Sequence, residues 1–203
     1  MKSLLMGIFM RNKIVIPIGN SCYVSHQLRK HNLRICAYPF DWIISDISKN
    51  IAFLLKDESL INKKDAIFLK PVKRMLFVED ESGTKLEICD EIITPCVNAN
   101  NFTLLPHDFP ENGEEIFDEV YEKYEKRLYR LKRDIEKADE VIFVFHIEEL
   151  NLFQEDCFEQ AGVFYPKQSV VSVYMEYCRF KSYHKNKEVQ LLDVKTYLRR
   201  MNK

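Results

Sequence analysis

Glycine is scarce in this chain, with five in 203 residues. Phosphate-cradling loops need glycine so that backbone N–H groups can approach the ligand. Neither a P-loop nor a GxGxxG turn occurs, so nucleotide and dinucleotide cofactors are not expected. Metal-ligand spacing is also missing: there is no HExxH, no CxxC pair and no Cys/His cluster. No metal and no cofactor is predicted. Charge of one sign is not in excess, with 30 basic and 31 acidic residues and a formal net charge of −1. That balance does not call for nucleic acid or an anionic membrane as partner. No apolar run approaches the ~20 residues of a membrane span. Six cysteines, Cys22, Cys36, Cys89, Cys96, Cys157 and Cys178, form no tight framework. They read as free thiols, and a reducing, cytoplasmic setting is expected.

What is present suits a folded domain. Hydrophobic residues are 46% and charged residues 30% of the chain, a composition that can bury one substantial core. A single domain over 1–203 is expected, with 1–12 as an N-terminal extension. That extension resembles a weak signal peptide, with Lys2 before a short apolar run that Arg11, Asn12 and Lys13 interrupt. Met10 is an alternative start.

Along the chain, 13–18 (KIVIPI) reads as a buried strand ending at Gly19. Ser21 or Asn20 can cap a helix over 22–31, with Val24 and Leu28 on one face. Residues 33–38 read as extended and stop at Pro39; a helix follows near 45–56. Strands are expected at 66–70, 73–78 and 85–89, the last two forming a hairpin about the turn 81–84. Residues 98–101 read as loop. Ile116, Val120, Tyr124, Leu128, Leu131 and Ile135 recur at three- and four-residue spacing, which predicts one long amphipathic helix over 114–137. Residues 140–145 (EVIFVF) read as a central strand, 148–161 as a helix ended by Gly162, and 170–177 and 188–194 as strands. The order predicts an α+β domain, with mixed α/β as the alternative.

Cys22 has the one cysteine setting suited to chemistry. It stands where a strand ends and a helix begins. Unpaired N–H groups and a positive partial charge there favour thiolate, the nucleophilic form. Its own N–H and the Asn20 side chain can bind an oxyanion. The plainer alternative is a small core residue. A thiol nucleophile needs a histidine in reach. His26 and His31 follow on the same helix, His184 lies in a polar loop, His146 ends the 140–145 strand, and His107 lies in LLPHDF. None of the five singles itself out by pattern. Arg127, Arg130 and Arg133 read as a solvated helix face.

GNSC at 19–22, Leu28 and Pro39-Phe40-Asp41-Trp42, then Asn98–Asn101 and His107-Asp108-Phe109, resemble the motifs of a family of uncharacterised proteins described as papain-like cysteine peptidases. RLYRLKR at 127–133 followed by VIFVF at 141–145 extends the resemblance, which covers roughly 13–146. It implies a papain-like fold, with the cysteine helix on a largely antiparallel sheet. It also implies Cys22 as nucleophile and His107 as base, with His146 the alternative. Asp108 orients His107 only if the backbone turns between them, because adjacent strand residues face opposite ways. Asp41 is the other carboxylate in a matched motif, and either orients the base or ties its own turn. Trp42 is expected in the core or as pocket wall. The implied activity is thiol-dependent hydrolysis of an amide or ester carbonyl in a peptide or other acyl substrate. Acyl transfer and an inactive binding scaffold are the alternatives.

Overall fold

A computed structural model describes residues 12–80 and 83–201. The fold mixes helices with three small sheets among those residues. The first sheet is parallel, in the order β1 (Lys13–Pro17), β7 (Glu140–Phe145), β8 (Glu188–Asp193). Its middle strand is apolar at nearly every position because both faces are covered. The side chains alternate as a strand requires. Val141 and Phe143 point into the main core, whereas Ile142 and Val144 join Val24, Leu28, Val194 and Tyr197 on the other face. Parallel neighbours cannot be joined by a tight turn, so long crossovers separate them.

Those crossovers carry the rest of the fold. Helix α1 (Tyr23–Lys30) follows β1, and α2 is Ile47–Phe53, capped by the Asp46 carboxylate on Lys49 N–H. An antiparallel sheet comes next, in the order β2 (Ala66–Phe68), β5 (Cys96–Asn98), β6 (Thr103–Leu105), and a separate antiparallel hairpin of β3 (Val72–Asp80) and β4 (Gly83–Ile93) lies between β2 and β5 in the chain. Of the predicted turn 81–84, Glu81 and Ser82 lie outside the described residues, as does 1–11 with its signal-like run. Asn12 is docked, accepting from the N–H groups of Asp139 and Glu140. Helix α3 (Phe117–Lys137) buries five of the six residues named from its spacing; the sixth, Ile116, precedes it as the cap and is partly buried.

Some expectations need correction. The nucleophile helix does not lie on an antiparallel sheet. Its buried Val24 and Leu28 meet Ile142 and Val144 of the parallel sheet, although the other two sheets are antiparallel. Residues 170–177 are not a strand but the start of α5 (Val170–Tyr183), which follows α4 (Leu152–Gln160). Val173, Tyr177 and Phe180 share one face and pack on the core, so tertiary burial overrode the β-branched composition. The chain after β8 forms α6 (Val194–Met201), with Val194 and Tyr197 buried beside α1. Helix α4 starts later than expected, behind an Asn151–Gln154 capping box.

Candidate active site

The C-terminal ends of parallel strands, where the chain turns into helices, form a natural crevice. Here β1 leads through Ile18-Gly19-Asn20-Ser21 to Cys22, the residue that caps α1. Gly19 is required by close approach: a Cβ there would lie 2.6 Å from Val24 Cγ2. His146 and Glu148 emerge just beyond β7, and Asp193 ends β8. A cavity of about 400 Å³ opens at this edge. Cys22, His26 and Glu148 stand on one side of it, and His107, delivered by the loop after β6, also lines it. Ile44, Pro106 and Phe153 give it apolar wall. Two segments eighty-five residues apart thus bring Cys22 and His107 to one cavity.

The thiol is held in its neutral form. Burial pushes Cys22 up to about 11, the nearby Glu148 carboxylate adds to this, and the Cys22 backbone N–H opposes it. Desolvation therefore outweighs the helix terminus, contrary to the thiolate expected from position alone. His107 shifts the other way. Burial lowers its pKa, with the Arg74 guanidinium adding to that and Asp108 opposing it. Its Nδ1 is buried without a hydrogen-bond partner. Cys22 is thus a thiol and His107 a neutral imidazole on the same cavity, and no hydrogen bond joins the two.

The remaining expected site residues lie elsewhere. Asp108 turns away from His107. Its carboxylate accepts from Lys123 Nζ and from the buried Tyr124 hydroxyl at 2.7 Å, both on α3. Asp41 is fully buried and ties its own turn, accepting from Tyr38 N–H at 2.9 Å, Ser25 Oγ at 3.3 Å and Arg34. Trp42 does not line the cavity; the Arg29 and Arg34 guanidinium groups lie 5.8 and 5.2 Å from its ring centroid. Asn20 clamps the backbone of Glu148. Its Nδ2 donates to Glu148 O at 2.7 Å and its Oδ1 accepts from Glu148 N–H at 3.0 Å.

Sequence reasoning missed Glu148. It follows His146 by two residues at the end of a central strand, and that position was the available signal. The Ser21 hydroxyl donates to its carboxylate. His146 is part of the same support: its Nε2 lies 3.9 Å from Glu148 Oε1, its Nδ1 3.5 Å from Asp193 Oδ2, and its ring 5.0 Å from that of Tyr23. His146 does not line the cavity. Among the described residues, no group of three or more His, Cys, Asp and Glu side chains is placed to hold a metal ion, and no helix is long and apolar enough to cross a membrane.

The profile of one protein family, "Putative papain-like cysteine peptidase (DUF1796)", matches residues 13–158. The chain belongs to this family. The match runs from β1 into α4 and includes both Cys22 and His107. No curated protein and no solved structure matches the chain.

Proposed function

We propose that this protein is a thiol-dependent hydrolase, with Cys22 as nucleophile and His107 as general base, acting on an amide or ester carbonyl. The observation that carries this is their placement on one cavity, with the buried Nδ1 of His107 unpaired. His107 takes the thiol proton as sulfur attacks the carbonyl carbon. The Cys22 N–H, at the start of α1, is the natural donor to the oxyanion. The proton then passes to the leaving amine or alcohol, and water releases the acyl group from sulfur. Asn20 contributes by fixing the loop beside the nucleophile.

A second reading has its own support. A thiol pushed up to about 11, and an imidazole that no carboxylate orients, suit a binding scaffold that has lost catalysis. A panel of p-nitrophenyl esters and coumarin amides of amino acids separates the two. Hydrolysis should vanish in Cys22→Ala and fall about 10²–10⁴-fold in His107→Ala. A rate that survives Cys22→Ala sinks the proposal, and an inert wild-type protein favours the scaffold.

A further inference from the structure

We infer that Glu148 makes the cavity selective for substrates that carry an ammonium or guanidinium group beside the reacting carbonyl, as a lysine or arginine side chain of a peptide does. This rests on the proposed role of Cys22 and names the substrate class of that same site.

Glu148 is held as a fixed charge. Asn20, only 1% exposed, spends both ends of its amide on the Glu148 backbone. Ser21 donates to one carboxylate oxygen, and His146, itself beside Asp193, faces the other. Long side chains lose considerable rotamer freedom when immobilised. Hydrogen bonds between Asn20 and its backbone and from Ser21 to its carboxylate fix Glu148 at this edge.

Among the described residues of the cavity wall, no lysine or arginine meets this charge. The described ionisable residues on the wall are Glu148, Glu149, His26, His107, Cys22 and Tyr23. Low-dielectric walls then focus a negative potential at the nucleophile. An anion there opposes thiolate formation, and Glu148 does push the thiol up. A cation on the substrate reverses that opposition. The contact that selects the substrate therefore also eases removal of the thiol proton. Ile44, Pro106 and Phe153 supply apolar wall for the aliphatic stem of such a side chain.

The test uses three methanethiosulfonates of similar size: aminoethyl (cationic), methyl (neutral) and sulfonatoethyl (anionic). In each, the Cys22 thiolate attacks the sulfenyl sulfur and expels methanesulfinate, leaving a mixed disulfide. Rates are read at Cys22 alone by peptide mass spectrometry. Relative to free cysteine, the full-length protein should favour the cationic reagent over the anionic one by about tenfold or more. Glu148→Gln should collapse that ratio while the neutral reagent reacts no more slowly. The wild-type ratio should also shrink as salt rises from ~0.01 to ~1 M, where the screening length falls from about 30 to 3 Å. That arm needs no variant to fold. A ratio equal to that of free cysteine overturns the inference, as does one that neither Glu148→Gln nor salt changes. A Cys22 that no reagent reaches overturns it too. Turnover through Cys22 without charge preference defeats this inference alone. Charge preference without Cys22-dependent turnover defeats only the hydrolase reading.

Discussion

At the scale of single residues, two opposing forces act on the Cys22 thiol. The backbone N–H at the start of α1 lowers its pKa, while removal from water raises it by more. The pH profile follows from that balance. A neutral His107 is the working base, and its folded pKa lies below the usual 6.5. Activity should therefore persist at pH 6.5 and be lost only as pH falls further, through the lowered value at which the imidazole protonates. It should hold through pH 9, because no imidazolium is needed in the resting state. A kcat/KM profile that falls near pH 8 would reveal a preformed thiolate–imidazolium pair and refute this. Asp41 shows the converse case, a buried carboxylate with a structural task. Asp41→Ala leaves the Arg34 guanidinium, 14% exposed, without its carboxylate. A loss of about 3–5 kcal/mol is expected from breaking such a pair, read by urea denaturation. A change below ~1 kcal/mol would mean that solvent already screens it. Cys22 was legible in the sequence because strand-to-helix junctions are local. The partners of Asp41 and Asp108 were not, since Tyr124 and Lys123 reach Asp108 only through packing of α3.

At the scale of elements, α1 is positioned by two contacts. Val24 and Leu28, each 1% exposed, seat it on the parallel sheet, and Gly19 lets the preceding turn pass close to Val24. Gly19→Ala would place a Cβ 2.6 Å from Val24 Cγ2 and 3.2 Å from Ser21 O. Overpacking of this kind costs about 1–3 kcal/mol. Thermal denaturation should show it, and Cys22 alkylation should change with it, because the shift falls on the turn that carries Asn20 and Ser21. An unchanged Tm would mean that Val24 has a free alternative rotamer. The long helix α3 was legible because its period repeats over five turns. By contrast, α5 was misread. Its VVSVY start has strand-like composition, and Val173, Tyr177 and Phe180 mark a helical face only once the core they meet is known. Tyr177 also donates to Val189 O at 2.9 Å, a bond that ties α5 to β8.

At the scale of the whole molecule, buried thiols couple the fold to alkaline pH. Burial pushes Cys96 and Cys157 up to about 12, alongside Cys22 at about 11, against 9.0 for the unprotected group. The folded state therefore holds these protons more tightly than the unfolded chain. Their contribution to stability is complete below about pH 9 and is lost as pH rises through the folded values. The buried Tyr124 phenol, also shifted upward, acts in the same direction. Urea midpoints should fall as pH rises from about 9 toward 11, and Cys96→Val should flatten that fall. A midpoint constant over this range would show that the thiols are open to water. The sequence by itself determined β1 and the central β7, the period of α3 and the junction at Cys22, all set by patterns within one segment. Only the tertiary structure decided that β1, β7 and β8 run parallel, that His107 rather than Asp41 or Trp42 shares the cavity with Cys22, and that Glu148 stands beside them. Local periodicity records which face of an element is apolar. It carries no information on which distant face will cover it, and that pairing decides where side chains meet and how far burial shifts their charge.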